Sequence, residues 1–148
     1  MATPPARADY AHFLSIPTRW MDNDTYGHVN NVTYYSYFDT AVNEHLIRAG
    51  GLDIHAGRII AFVVETSCRF HHPLSFPETI DAGLRVAKLG RSAVVYDIGL
   101  FREGADAAAA NGRFVHVWVD RETNVPQPVP ERIRTALEPL VREGETEP

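Results

Sequence analysis

The chain has a single cysteine, Cys68, among its 148 residues. One cysteine cannot form an intramolecular disulfide, and proteins without a disulfide framework are typical of reducing compartments. No apolar stretch reaches the length that a membrane span requires. The first residues carry two adjacent prolines and charges where a secretion signal would have an apolar core. These absences predict a cytoplasmic protein that has no membrane partner.

Positive charge is in short supply, because 14 Lys and Arg residues face 19 Asp and Glu residues and the formal net charge is −5 at pH 7. Nucleic acids and acidic membranes are bound mainly through a basic surface. The charge balance therefore argues against both partners. Any anionic ligand must instead be met by a local cluster of basic residues.

Several catalytic and metal-binding patterns are also missing. The Gly-x-Ser-x-Gly turn of elbow-type serine hydrolases does not occur. Cys68 lies in the middle of a predicted strand without an activating neighbour, which favours a structural thiol. The seven histidines do not pair at metal-ligand spacing, and His71 and His72 would point in different directions in an extended chain. We therefore predict no metal ion and no cofactor.

The length and the 45% hydrophobic content predict one globular domain over residues 12–141. A flexible segment over 1–11 and a disordered acidic tail over 142–148 flank it. Its predicted elements are a strand over 12–21, a helix over 31–49, four strands over 58–70, 79–89, 92–102 and 113–120, and a short helix over 131–141. The long helix is apolar around most of its circumference and ends at Gly50-Gly51. We therefore predict an α+β fold in which a five-stranded antiparallel sheet curls round one helix.

The last predicted strand is apolar on both faces, because Val115, Val117 and Val119 alternate with Phe114, His116 and Trp118. A single five-stranded sheet has an unpaired edge, and we expect it to leave Phe114, His116 and Trp118 on an exposed apolar face, opposite the three valines. Both features predict self-association through exposed apolar surface and an open strand edge. We therefore expect a homodimer at minimum, with a dimer of dimers as a further possibility.

The segment Asp24-Thr25-Tyr26-Gly27-His28-Val29-Asn30-Asn31 stands directly before the long helix. It places a carboxylate at the end of a strand and, across a glycine turn, next to the free N–H groups of a helix N-terminus. Such an arrangement presents a base or nucleophile to a carbonyl that the helix end polarises. A calcium loop that begins at Asp22 is a poor alternative, since its fifth and twelfth positions, which should supply oxygen ligands, would be Tyr26 and Thr33. Helix capping by Asn30 or Asn31 fits the pattern but does not account for Asp24.

The pattern D-x-D-x-x-G-H-V-N-N, the aromatic helix and the order of four strands resemble the hotdog-fold thioesterases. The nearest branch contains 4-hydroxybenzoyl-CoA thioesterase and the YbgC-type acyl-CoA thioesterases. The resemblance covers residues 13–140 and extends to His72-Pro73, Leu89-Gly90-Arg91-Ser92 and Asp120-Arg121-Glu122-Thr123. It implies a hotdog fold and hydrolysis of an acyl-CoA to a free acid and CoA.

The resemblance also implies roles for individual residues. Asp24 would be the catalytic carboxylate, and a backbone N–H near Asn31 would polarise the thioester carbonyl. His28 and Tyr34 would border the pocket, and His28 is also a candidate catalytic residue. Tyr26 and Gly27 are predicted to contact the substrate. The resemblance further implies that the subunits join edge to edge, with the acyl groove at the seam.

Coenzyme A carries phosphates, so an acidic protein needs a local basic cluster to bind it. Arg69, Arg85 and Arg102 lie on or beside the sheet strands and are candidates. The hairpin residues are favoured for phosphate contact by the resemblance: Lys88, Gly90, Arg91 and Ser92. The alternative is that all of these are ordinary surface charges that discourage sheet aggregation.

Two mechanisms remain open for Asp24. It could attack the thioester as a nucleophile and form a mixed anhydride, or it could act as a general base on a water molecule. Glu65, inside an apolar strand, either enters the pocket or faces solvent. The alternatives to a thioesterase are a non-catalytic acyl-CoA or acyl-carrier binding protein and a hotdog hydratase.

Overall fold

A computed structural model describes residues 3–142 of the chain. The strands are β1 (His12–Pro17), β2 (Ile59–Phe70), β3 (Thr79–Leu89), β4 (Ala93–Arg102) and β5 (Ala110–Asp120), and the helices are α1 (Asn31–Arg48) and α2 (Glu131–Leu137). Short 3-10 turns cover Arg7–Asp9, Trp20–Asp22 and Glu138–Leu140. All strand pairs are antiparallel, in the order β1-β3-β4-β5-β2. The prediction of an α+β hotdog fold is confirmed.

The core lies between α1 and one face of the sheet. Alternate residues of β3 and β4 point into it, as their period-2 pattern predicts. Phe38 of α1 packs so closely on β5 that a Cβ at Gly112 would lie 2.5 Å from its ring. The helix buries these residues: Tyr34, Tyr37, Phe38, Ala41, Val42, His45 and Leu46. Val32 and Ile47, on the other side of the helix, stay exposed.

Strand β5 corrects the predicted location of the exposed apolar surface. Phe114, His116 and Trp118 point into the core, and each is at most 3% exposed. Alternation along a strand shows which residues share a face but not which face is buried. The open apolar edge is instead β2, the last strand in the sheet order, where Phe62, Val63 and Val64 are exposed.

The chain before β1 differs from the flexible segment that the sequence predicted. Arg7 forms an ion pair with Asp81 at 2.8 Å. The ring of Tyr10 lies against the backbone of Gly83 and Gly99, where an added Cβ would come within 2.8 and 2.5 Å of it. Arg7 and Tyr10 therefore hold this segment against the face of the sheet opposite α1. The predicted acidic tail, apart from Arg142, lies outside the described residues.

Some predicted boundaries were displaced. The first strand ends at Pro17 and not at residue 21, because the chain turns into the 3-10 segment Trp20–Asp22. The last strand, β5, begins at Ala110 and not at residue 113, and Ala107 just before it bridges to Ala6. The last helix changes to 3-10 geometry at Glu138, directly before Pro139.

Candidate active site

A buried carboxylate holds the loop that leads to Asp24. Asp22 is 1% exposed and accepts hydrogen bonds from the Arg19 backbone N–H at 2.8 Å and the Tyr37 hydroxyl at 2.8 Å. The Arg19 guanidinium approaches the other carboxylate oxygen at 3.0 Å. Burial alone would raise the pKa of Asp22, but these hydrogen bonds together hold its pKa below the usual value. Asp22 therefore joins the loop to α1 as a charged anchor.

The turn after Asp22 presents the Asp24 carboxylate. The Asp24 N–H donates to the His28 carbonyl at 2.8 Å, and the Gly27 N–H donates to the Asp24 carbonyl at 3.1 Å. Gly27 has a φ of 82°, a conformation that favours glycine. The Oδ1 atom of Asp24 accepts from the Tyr26 N–H at 2.9 Å. The half-buried carboxylate is thus oriented by its own turn.

The N-terminus of α1 begins a few residues after Asp24. Asn30 is the N-cap, because its Oδ1 accepts from the Val32 N–H at 3.0 Å and its carbonyl accepts from the Thr33 N–H at 2.9 Å. Within residues 3–142, the Asn31 N–H donates no hydrogen bond. The first N–H of the helix is therefore open to an oxygen atom from outside the chain.

A pocket of about 320 Å³ opens beside this helix end. Its aromatic wall is formed by Tyr34 and Phe70, whose rings meet edge to face at a centroid distance of 4.9 Å. The Val29 N–H donates to the Leu74 carbonyl at 2.7 Å, which ties the turn to the loop after β2. The lining residues are His28, Val29, Asn31, Tyr34, Phe70, His71, His72 and Pro73.

The structure brings together only some of the predicted site residues. His28, Asn31 and Tyr34 line the pocket, and Asp24, Tyr26 and Gly27 form the adjoining turn. The hairpin Lys88-Leu89-Gly90-Arg91-Ser92 does not reach it. Its carbonyl groups at Gly90 and Arg91 accept from Arg134 and from the Val129 N–H, next to α2.

The hairpin and the pocket lie at opposite ends of the sheet. Ala93 pairs with Val117, which pairs with Phe62, whereas the pocket starts at Phe70. At about 3.3 Å per residue, the strand from Phe62 to Phe70 spans roughly 25 Å. One chain alone therefore cannot bring Lys88 or Arg91 to the Asp24 turn.

The sequence interpretation missed the pocket wall that follows β2. Phe70, His71, His72 and Pro73 reach the site because the loop after them is hydrogen-bonded to the Asp24 segment. The Phe76 N–H, for example, donates to Asn23 Oδ1 at 3.0 Å. The only sequence signal was His72-Pro73, which contributed to the resemblance without being assigned a role.

The other chemical candidates do not form a second catalytic centre. Burial raises the pKa of the Cys68 thiol to about 12, so the thiol is protonated at neutral pH and is a poor nucleophile. Glu65 lies exposed on the β2 edge. Among residues 3–142, no group of three or more His, Cys, Asp or Glu could hold a metal ion. None of the helices in the same range is both long and apolar enough to span a membrane.

Comparison with known proteins extends the geometric result. The PA5185 protein from Pseudomonas aeruginosa strain PAO1 is 53% identical, with a TM-score of 0.94 over 96% of this chain and 99% of that chain. A thioesterase from Thermus thermophilus, crystallised with coenzyme A and Zn, is 27% identical, with a TM-score of 0.74 over 89% of this chain and 95% of that chain. No curated protein matches the chain. The family model of the thioesterase-like superfamily matches residues 18–137. The chain therefore belongs to the thioesterase-like superfamily and is a hotdog-fold thioester hydrolase.

Proposed function

We propose that the protein hydrolyses acyl-CoA thioesters, with Asp24 as the catalytic carboxylate and the Asn31 N–H as the group that polarises the carbonyl. The observation that carries this proposal is the pairing of an oriented carboxylate with an open helix N–H beside one pocket. A thioester whose carbonyl oxygen accepts from Asn31 would place its reacting carbon near the turn that carries Asp24. Both remaining mechanisms use this arrangement: direct attack by the carboxylate and activation of water.

The substrate class rests on the relative that contains coenzyme A and on the aromatic pocket. Tyr34 and Phe70 offer apolar rings to an acyl group, while His28 and His72 stand at the more exposed side. The pocket is open to solvent on a single chain, so the thiol carrier can lie outside it. The carrier part of the substrate would then extend toward whatever covers the β2 edge.

A homodimer would complete this site. Antiparallel pairing of β2 with β2 of a second copy would satisfy the edge and cover Phe62, Val63 and Val64. The same twofold operation places the beginning of the partner's β2 near the end of this one. It would therefore bring the hairpin of the second copy to the end of the sheet that carries the pocket. The phosphates of CoA would meet positive charge from the second subunit.

The test of Asp24 compares two isosteric variants. Asp24→Asn should keep the fold and lower kcat for acyl-CoA hydrolysis by at least about a hundredfold, because a catalytic group is lost. Asp39→Asn is the matched control, since Asp39 is an exposed aspartate on α1 outside the pocket, and it should retain normal turnover. Release of free thiol across short, long and aromatic acyl-CoAs gives both rates. Equal rates for the two variants would rule out Asp24 as the catalytic residue.

The test of the Asn31 N–H uses proline, which removes the N–H but is well tolerated at the first position of a helix. Asn30 already has the extended conformation, φ −61° and ψ 138°, that a following proline requires. Asn31→Pro should lower kcat by about a hundredfold or more. Asn31→Ala keeps the N–H and should lower it little. If Asn31→Ala is as slow as Asn31→Pro, the side chain and not the N–H is responsible.

A further inference from the structure

Asp22, the first acid of the D-x-D pattern, takes no part in the proposed chemistry but is almost completely buried. Its side chain is 1% exposed, and its carboxylate accepts from the Arg19 backbone N–H, the Arg19 guanidinium and the Tyr37 hydroxyl. A buried charge adds little net stability even when it is well satisfied, and it can serve instead to fix one geometry. The contacts of Asp22 show which geometry that is.

Asp22 is hydrogen-bonded at two separate points to α1 and its N-cap. The Tyr37 hydroxyl, in the second turn of the helix, donates to Asp22 Oδ2 at 2.8 Å. The N–H of Asn30, the N-cap, donates to the Asp22 carbonyl at 2.9 Å. One bond is made by the side chain of Asp22 and the other by its backbone. The loop therefore cannot slide or tilt relative to the start of the helix without breaking one of them.

These two hydrogen bonds also relate the two groups of the candidate active site to each other. Asp24 follows Asp22 by two residues, and Asn31 follows Asn30 directly. Between the two acids, Asn23 Oδ1 accepts a backbone N–H of the loop after β2 at 3.0 Å. The first two side chains of Asp22-Asn23-Asp24 thus hold the loop, while the Asp24 carboxylate accepts from N–H groups of its own turn. The position of Asp24 relative to the Asn31 N–H therefore depends on Asp22.

We propose that Asp22 and Tyr37 are positioning residues, whose hydrogen bond holds the Asp24 carboxylate in place beside a carbonyl bound at the Asn31 N–H. The inference rests on the proposed function, because it acts through Asp24. Reacting atoms must approach to about 3–3.5 Å, and a misplacement of about 1 Å can cost about a hundredfold in rate. In the described part of the chain, neither Asp22 nor Tyr37 lines the pocket. Loosening their hydrogen bond should therefore slow the reaction without weakening substrate binding.

The two partners of the Asp22 carboxylate should differ in importance. The Arg19 guanidinium lies 3.0 Å from Oδ1, but the Arg19 side chain is 65% exposed. Exposed ion pairs are screened by water and contribute little. The Tyr37 hydroxyl makes its hydrogen bond inside the core, where water does not compete. Removal of the hydroxyl should therefore loosen the Asp24 turn more than removal of the guanidinium does.

The experiment compares kcat and KM for acyl-CoA hydrolysis in two variants that each lose one buried hydroxyl, Tyr37→Phe and Tyr96→Phe. Tyr96 is the matched control, because it lies in β4 with its hydroxyl 3.3 Å from His116 Nδ1 and does not line the pocket. Tyr37→Phe should lower kcat by about tenfold or more and change KM by less than about twofold. Tyr96→Phe should keep the wild-type kcat when both variants are assayed at a temperature at which they are folded.

A second measurement separates positioning from general damage to the fold. If Tyr37 acts through Asp24, Tyr37→Phe should not lower the residual kcat of Asp24→Asn any further, whereas a loss of folded enzyme would lower the rate by the same factor in both backgrounds. Amide hydrogen exchange gives a readout that needs no turnover. In Tyr37→Phe the N–H groups of Asp24 and Asn30 should exchange about tenfold faster than in the wild type, while those of α2 should be unchanged.

The inference is overturned if Tyr37→Phe keeps the wild-type kcat, if Tyr96→Phe is slowed as much, or if Tyr37→Phe slows Asp24→Asn by the same factor as it slows the wild type. Should Tyr37→Phe not fold, Arg19→Gln changes only an exposed side chain and is judged by the same criteria, with an expected loss in kcat of about threefold. Near-normal turnover of Asp24→Asn alone would contradict the proposed function instead. The exchange rates would then still show whether the hydrogen bond between Asp22 and Tyr37 holds the turn.

Discussion

Acid should destabilise the protein through one buried histidine. His116 is 2% exposed in the core, where its Nδ1 lies 3.3 Å from the Tyr96 hydroxyl and its ring meets those of Phe114 and Trp118 edge to face. Burial lowers the pKa of His116 from 6.5 to about 4. The imidazole is therefore neutral in the folded protein at neutral pH, and it resists protonation until the pH is well below that at which an exposed histidine titrates.

The direction and size of the change in stability follow from the difference between the pKa of His116 in the unfolded chain and in the folded protein. As the pH falls below 6.5, the unfolded chain binds a proton at residue 116 before the folded chain does, so stability is lost as the pH falls toward 4. The full loss is about 3 kcal/mol, and about 2 kcal/mol of it occurs between pH 7.5 and pH 5. The pKa of Asp22 is lowered from 3.8, so that carboxyl contributes only at more acidic pH. The pKa of His12 is also lowered, by burial and by His45, so His12 adds to the same window.

Urea unfolding at pH 7.5 and pH 5 measures this loss for the wild type and for His116→Gln. Glutamine keeps a polar group near Tyr96 but does not titrate, so its constant cost cancels when the two pH values are compared. The variant should lose about 2 kcal/mol less than the wild type over this interval. His12→Gln, measured in the same way, gives the separate contribution of the partly buried His12 to the loss of stability. Equal losses for the wild type and His116→Gln would refute the assignment of a buried neutral imidazole.

Three further predictions concern other contacts. Tyr37→Phe leaves the buried Asp22 carboxylate without one donor and should lower the free energy of unfolding by about 1–3 kcal/mol, measured with urea; an unchanged midpoint would contradict the anchor. Gly99→Ala places a Cβ 2.5 Å from the Tyr10 ring, so the N-terminal segment should detach and be cut faster by protease, and unaltered cleavage would argue against that packing. Val64→Lys puts a charge on the exposed β2 edge. Light scattering should show a dimer for the wild type and a monomer with little activity for the variant. A fully active monomeric wild type would disprove the shared site.

The elements were predictable where local chemistry determines them. Strands β3 and β4 carry period-2 apolar patterns and are joined by Gly90-Arg91-Ser92, and their bounds agree with the prediction to within one residue. The start of α1 at Asn31 follows from the Asn30 cap. The Asp24 turn was found for the same reason, because its glycine and its position before a helix are visible in the sequence.

Features that depend on tertiary contacts were not predictable. Alternation in β5 could not show that Phe114 and Trp118 face α1, since both faces of that strand are apolar. Arg85 and Arg113 lie on different strands, and only the register through Asp97 brings them into one row. The pocket wall at Phe70 lies beside the Asp24 turn because the loop after β2 is hydrogen-bonded to the segment around Asp24.

The hydrogen bonds around Asp24 have a consequence for the energetics of binding. The turn is fixed by hydrogen bonds within its own backbone and by the hydrogen bond between Asp22 and Tyr37 of α1. A further hydrogen bond joins Val29 to Leu74 in the loop after β2. Ordering a flexible side chain on association costs about 0.5–1.5 kcal/mol each time. Because this turn is ordered before any ligand arrives, little of the binding energy of a ligand is spent on arranging it. That energy remains available for contacts that tighten as the thioester carbonyl becomes tetrahedral.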